Sequence, residues 1–293
     1  MCGGRSRVKE RGKMDGLREL QLTELGILKE VLALFREYGI RYYALGGTML
    51  GAVRHRGFIP WDDDIDIGLP REDYDRFYRL RDKLPEHLRY QVYPDDASYP
   101  YYIARVVDDS VVVRSDRTEI EEVTPAWIDV FPLDGLPDGK LARKLHEANI
   151  MLTRTLFQVS RFDDVVNTKR TNRPWREKAF IAFAKAVPLQ KLVRRDRAFR
   201  AFDRTLRRAP YSRSKYNINA MGAYRLREAF DKSVFGEGAA YPFEDIEICG
   251  PADYESYLTQ LYGDWRTPAD KSHHSVVEVT PQVRAVRDRR KHK

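Results

Sequence analysis

Residues 45–69 read LGGTMLGAVRHRGFIPWDDDIDIGL. Four aspartates, Asp62, Asp63, Asp64 and Asp66, fall within five positions, between Phe58-Ile59-Pro60-Trp61 and the apolar Ile67 and Leu69. Carboxylates repel one another and are costly to desolvate. A solvated acidic loop is the competing account, and the apolar flanks argue against it; the cluster implies a bound cation. The alternation Asp64-Ile65-Asp66-Ile67 has the period of a strand, 64–69, and sends Asp64 and Asp66 to one face. Two carboxylates on one face suit a hard cation such as Mg²⁺. Just upstream, Gly46-Gly47-Thr48 closes the apolar stretch Tyr42–Leu45. Glycines there let backbone amides approach a phosphate, and a helix starting behind them adds partial positive charge.

A third apolar strand, Trp127-Ile128-Asp129-Val130-Phe131, carries one further carboxylate. Alone, Asp129 reads as an acceptor of local hydrogen bonds. Beside an Asp-x-Asp pair it is a third metal ligand or a base for an attacking hydroxyl. A Gly-Gly turn, an Asp-x-Asp strand and a later strand aspartate together resemble the nucleotidyltransferase superfamily of the polymerase-β type. The longer block GGTMLGAVRHRGFIPWDDDIDIGLPREDYDRF, with WIDVFPLDGLP at 127–137, Tyr241-Pro242-Phe243, YLTQLYGDWRTP at 257–268 and His273-His274, is similar to the LicD family, the phosphocholine transferases related to fukutin. The resemblance implies transfer of phosphocholine or a similar phospho-alcohol from CDP-choline or another CDP-alcohol to a hydroxyl of a cell-surface glycan precursor, lipid-linked, teichoic or lipopolysaccharide, releasing CMP. It implies Asp64, Asp66 and Asp129 as catalytic ligands of Mg²⁺, with Mn²⁺ as a substitute. It also implies Gly46, Gly47, Thr48, Arg54 and His55 as donor-binding residues. A histidine usually closes the last block, and His273 and His274 both fit.

The expected architecture is α+β, a nucleotidyltransferase-like mixed sheet with flanking helices and a helical insert. A basic tail (1–14) precedes a catalytic core (15–137), a helical insert (138–210), the rest of the catalytic domain (211–280) and a second basic tail (281–293). An amphipathic helix is read over 15–38 and ends at Gly39; strand 41–45 follows, then a short helix N-capped by Thr48. Helices are also expected over 71–83, 139–160, 174–208 with a break near Pro188, and 251–262. Strands are expected over 89–94, 126–131 and 244–249, and 101–115 reads as a hairpin turning at Asp108-Asp109-Ser110.

The chain has 293 residues and a net charge of +8, with 42% hydrophobic and 33% charged residues. That is ample for a folded core, and no run approaches the roughly 20 apolar residues of a membrane span. Two cysteines, Cys2 and Cys249, exclude a disulfide framework or thiolate metal site. With no secretory signal at the N-terminus, the expected setting is cytoplasmic, peripheral at the inner face of a membrane. Residues 173–208 hold twelve Lys/Arg against three Asp/Glu, and both tails are basic, so the body is acidic. The segment 173–208 carries Phe180, Phe183, Ala184 and Val187 at helical spacing among lysines and arginines. That pattern fits peripheral docking on anionic lipid, or equally an ordinary packed helix.

Arg54, His55 and Arg56 follow the glycine turn, and guanidinium suits bidentate phosphate binding; the alternative is surface charge. Asp62 and Asp63 either support the ligands or order the loop. Arg105 fits either the site or the edge of the core. Trp61, Trp127, Tyr99, Tyr101 and Tyr102 are candidates for a cage around a quaternary ammonium group, against simple core filling. Rival activities are glycosyl transfer, which lacks its usual preceding α/β unit here, sugar-phosphate transfer, and nucleotidyl transfer, which would release pyrophosphate. A nucleic-acid-binding role is raised by the basic pI and opposed by the acidic body, so no nucleic acid is expected as partner.

Overall fold

The computed structural model describes residues 4–115, 122–161, 193–268 and 277–281. Helix α1, Gly4–Tyr38, begins well before residue 15, so the backbone of the expected basic tail is largely helical. Leu20, Leu25, Leu28, Val31, Leu32 and Phe35 form its buried stripe. Gly39, at φ 61°, ends the helix, and the Ile40 N–H donates back to the Phe35 carbonyl.

A mixed sheet carries the core. Its main path runs β1 (Tyr43–Ala44), β2 (Asp66–Pro70), β5 (Glu122–Leu136), β4 (Ala104–Ser115) and β10 (Val277–Pro281). The β2–β5 pair is parallel and the others on this path are antiparallel. Strand β3 (Leu88–Gln91) adds to β4, and β6 (Tyr216–Ile218) joins β5 to β7 (Ala229–Asp231). A separate hairpin, β8 (Ala239–Phe243) and β9 (Ile246–Gly250), replaces the single strand read at 244–249. Helices α2 (Gly46–His55), α3 (Arg71–Arg79) and α7 (Tyr254–Tyr262) flank the main sheet, and α6 (Lys232–Phe235) is a single turn. The fold is α+β, as expected.

Two readings are corrected. Residues 104–115 are one strand, not a hairpin: both Val-rich runs pair with β5, and the register shifts between Asp108 and Val113. Asp108 accepts from the Ser110 N–H at 2.8 Å and its hydroxyl at 2.6 Å, so the Asp-Asp-Ser signal makes a kink inside the ladder. Helix α2 starts at Gly46, with Leu45 as N-cap and no side-chain cap, so Thr48 is not the cap.

Helices α4 (Lys140–Ser160) and α5 (Arg195–Leu206) pack on one another. Ile150, Phe157, Ala198, Phe202 and Leu206 join Tyr102, Leu136 and Ile218 in a second core. The buried Arg71 guanidinium ties this unit to the sheet. Its Nε and one terminal nitrogen donate to the two Asp134 oxygens at 2.6 Å each, and the same terminal nitrogen donates to the Tyr102 hydroxyl at 3.0 Å. Cys2, His273, His274, the second basic tail and residues 173–192, including the apolar stripe from Phe180 to Val187, lie outside the described residues.

Candidate active site

The parallel β2–β5 register puts Asp66 opposite Asp129, and the Asp129 N–H donates to the Ile65 carbonyl at 2.9 Å. Asp64 lies just before β2, not on the strand as expected. It still joins the cluster. Burial, then Asp62 and Asp129, push its carboxyl up to about 7. Asp66 is pushed well above the carboxylate range, first by burial and then by Asp64, Asp129, Asp62 and Glu228. The three expected carboxylates are therefore brought together.

Asp62 and Asp63 are closer partners than the sequence suggested. Carboxylate oxygens of Asp62, Asp63 and Asp64 all lie within 4.8 Å of one another. Repulsion from Asp62 and Asp129 adds to burial in favouring the protonated form of Asp64. An all-carboxylate donor set under mutual repulsion fits a hard divalent cation such as Mg²⁺ or Mn²⁺.

The glycine turn is built around these acids. A Cβ at Gly47 would lie 2.4 Å from an Asp62 oxygen, and one at Gly46, where φ is +51°, would lie 3.3 Å from an Asp66 oxygen. Only glycine lets the α2 N-terminus and the carboxylates approach this closely. The Gly46 N–H donates to the Tyr257 hydroxyl at 3.0 Å, so this amide of the helix N-terminus is already engaged. The Thr48 hydroxyl accepts from the Asp66 N–H at 2.8 Å, so it fixes β2 against α2.

Arg54 and His55 end α2. Arg54 donates through Nε to His55 Nε2 at 2.9 Å and through a terminal nitrogen to the Trp265 carbonyl at 3.1 Å. His55 meets the Trp61 ring edge-on at 6.4 Å, beside Asp62 in sequence. Arg54 is half-buried and His55 exposed, and partial burial lowers both pKa values. Arg56 takes a left-handed conformation and closes the helix.

A cleft of about 530 Å³ opens on the acids, lined by Asp63, Asp64, Asp129, Arg105, Tyr99, Tyr101 and Trp127 among others. Arg105 donates to Asp129 at 2.7 Å. Burial pushes the Asp129 carboxyl up against the pull of Arg105, and burial wins. The expected aromatic cage is partly there, but it holds a guanidinium. Arg105 lies 4.1 Å from the Trp127 ring centre, 4.8 Å from Tyr101 and 5.8 Å from Tyr99. Tyr102 is instead in the second core, and Trp61 packs with His55. Tyr257 and Glu228 were not singled out from the sequence. Tyr257 stands in the YLTQLYGDW block; Glu228 has no local signal, since only the fold brings it toward Asp66.

Residues 39–144 match the family profile described as LicD/FKTN/FKRP, nucleotidyltransferase domain. Over 128 residues the chain is 39% identical to the lipopolysaccharide cholinephosphotransferase LicD of Haemophilus influenzae, covering 42% of this chain and 46% of that protein. Over 65 residues it is 43% identical to the human ribitol 5-phosphate transferase FKRP, covering 22% of this chain and 12% of that protein. An uncharacterised protein of Rickettsia prowazekii is 44% identical over 82 residues, 27% of this chain and 29% of its own length. The chain thus spans less than half the length of each of these relatives.

Proposed function

Because the chain belongs to the LicD family through residues 39–144, we propose that it transfers phosphocholine, or a similar phospho-alcohol, from a CDP-alcohol to a hydroxyl of a cell-surface glycan precursor, releasing CMP. The observation that carries this reading is the convergence of Asp62, Asp64, Asp66 and Asp129 on the Gly46-Gly47 turn. A divalent cation held there, by Asp64 and Asp66 with Asp62 or Asp63, would neutralise the diphosphate and its leaving group. The chain's own groups do the remaining work. The amides opening α2 face the donor phosphates. Asp129, steered by Arg105, takes the proton of the acceptor hydroxyl or completes the ligand set. Thr48 and Tyr257 hold β2 and the turn in register. The Arg105-filled aromatic wall presents a delocalised cation to the cleft, which suits an anionic part of the donor better than a quaternary ammonium group.

No helix among the described residues is long and apolar enough to cross a membrane. A cytoplasmic enzyme meeting a lipid-linked acceptor peripherally is part of the same proposal.

The test is one incubation. Purified protein, Mg²⁺ and a panel of CDP-alcohols are scored for CMP, with and without glycan acceptor extracts. Acceptor-dependent CMP release is expected. Pyrophosphate release from a nucleoside triphosphate, with no CMP from any CDP-alcohol, would replace this reading with nucleotidyl transfer.

A further inference from the structure

The loop that leads into the aspartates is gripped by two elements, α1 and the β8–β9 hairpin, that lie outside the family match at residues 39–144. Gln21 on α1 is 3% exposed. Its side-chain amide donates to the Asp62 carbonyl at 2.8 Å and reaches the Ile59 carbonyl at 3.4 Å. The Asp62 N–H donates to that same Ile59 carbonyl at 2.9 Å, so Gln21 bridges both ends of the turn that opens the aspartate run. The Gln21 amide oxygen accepts from Arg18 at 3.1 Å, which fixes the orientation of the amide. Arg18 in turn donates from both terminal nitrogens to the two Glu244 oxygens, at 3.0 and 2.5 Å.

The second grip is the hairpin tip. Glu244 accepts from the Phe58 N–H at 3.2 Å, and its own N–H donates to the Arg56 carbonyl at 2.8 Å. Arg56 and Glu244 both sit at φ 56°, a conformation that is costly for non-glycine residues and persists where the surroundings hold it. A Cβ at Gly57 would lie 2.4 Å from the Glu244 oxygen that accepts from Phe58, so the glycine makes room for this carboxylate. Lys29 anchors the same tip through Asp245 at 2.6 Å. The backbone from Arg56 to Asp62 is thus pinned at Arg56, Phe58, Ile59 and Asp62. An apolar side chain at position 21 would fill the same space; the buried amide serves the carbonyls of this loop.

We propose that Gln21, Arg18 and Glu244 are positioning residues for the divalent-cation site: they hold the Arg56–Asp62 backbone so that Asp62, Asp63 and Asp64 converge within 4.8 Å. The inference rests on the reading of these acids as the metal site of a transferase. Mg²⁺ demands near-octahedral geometry, whereas Ca²⁺ tolerates irregular oxygen sets. A loop released from this clamp therefore loses Mg²⁺ before it loses Ca²⁺.

The experiment titrates the full, ligand-free chain calorimetrically with Mg²⁺ and, separately, with Ca²⁺, beside thermal melts. Gln21→Glu keeps the shape of the side chain and replaces the amide donors with a carboxylate. Its added negative charge would by itself strengthen cation binding, so a weakening has the opposite sign to a charge effect. Mg²⁺ is expected to bind about tenfold or more weakly to this variant, with a smaller loss for Ca²⁺. Gln21→Met, neutral and of similar volume, should lose Mg²⁺ affinity to a like degree and guards against a variant that fails to fold. Glu244→Gln keeps an acceptor for the Phe58 N–H and should retain more of the Mg²⁺ affinity than Glu244→Ala. Unchanged Mg²⁺ affinity in folded Gln21 variants, with only a lower melting temperature, overturns the proposal. Equal loss of both cations, or no Mg²⁺ binding by wild type, overturns it too. No turnover is needed, so a failure to release CMP from any CDP-alcohol counts against the transferase reading alone.

Discussion

Asp64 and Asp129 share one acidic cluster but have opposite company. Asp64 faces other acids, and its carboxyl is pushed up to about 7, against roughly 3.9 in an unfolded chain. The folded state holds that proton more tightly. This group therefore favours folding fully below about pH 4, and the contribution is lost as pH rises through 7. In EDTA, stability should fall between pH 5 and 8. Asp64→Asn should stabilise the ligand-free protein at pH 8 by on the order of 1–2 kcal/mol, yet cut turnover about a thousandfold by removing a metal ligand. Added Mg²⁺ should raise the wild-type melting temperature and not that of the variant. Thermal melts across pH, with and without Mg²⁺, check this; a variant less stable than wild type at pH 8 would refute it. Asp129 instead holds Arg105 at 2.7 Å, both being largely buried. Asp129→Asn leaves that guanidinium without its partner and should cost about 1–3 kcal/mol. If Asp129 is a base, the variant keeps its Mg²⁺ dependence and loses rate; if a ligand, half-saturation moves to higher Mg²⁺. Unchanged rate and unchanged metal dependence would remove Asp129 from the site.

At the scale of the element, two of the three glycines of α2, Gly47 and Gly51, would crowd a side chain against different kinds of neighbour. A Cβ at Gly51 would lie 2.4 Å from the backbone oxygen of Gly57, which has no freedom to rotate away. A Cβ at Gly47 meets the end of the Asp62 side chain, which can swing aside. Gly51→Ala should therefore lower stability by about 2 kcal/mol, read as a shifted denaturant midpoint. Gly47→Ala should fold nearly as well but bind Mg²⁺ at least tenfold more weakly. Comparable stability losses in the two variants would show that the close approach at Gly47 is not about the acids. The sequence made most elements legible where one periodicity dominated, as in α1 and in the Asp129 strand. It misled where a local polar signal had two structural uses. Asp108-Asp109-Ser110 serves a turn or a kink equally well, and only pairing of both flanks with β5 decides. Thr48 looks like an N-cap, yet its hydroxyl is engaged by the Asp66 N–H, a partner eighteen residues away. Asp66 and Asp129 could be read from strands, and Asp64 only by its place beside Asp66; Arg105 as the partner of Asp129, and Glu228 near Asp66, depend on sheet order and had no local sign.

Across the whole molecule, the sheet and the α4–α5 unit have separate cores joined at Arg71. Its guanidinium reaches Asp134 on β5 and Tyr102, whose hydroxyl donates to Asp203 on α5 at 2.7 Å. Removing one member of so buried a pair should cost about 3–5 kcal/mol. Asp134→Asn is expected to lose that much, with hydrogen exchange rising first in α4 and α5. A loss below 1 kcal/mol would mean that apolar packing alone joins the two units.

The β2–β5 pair has a consequence in time as well as in space. Asp66 and Asp129 are neighbours only because two distant segments lie parallel in register, and parallel pairing across a long crossover is a slow, high-contact-order event. A chain with its antiparallel neighbours formed but β2 still unpaired holds every carboxylate and no site. During refolding, the capacity to bind a divalent cation should therefore arrive with the last long-range pairing, after most secondary structure has formed.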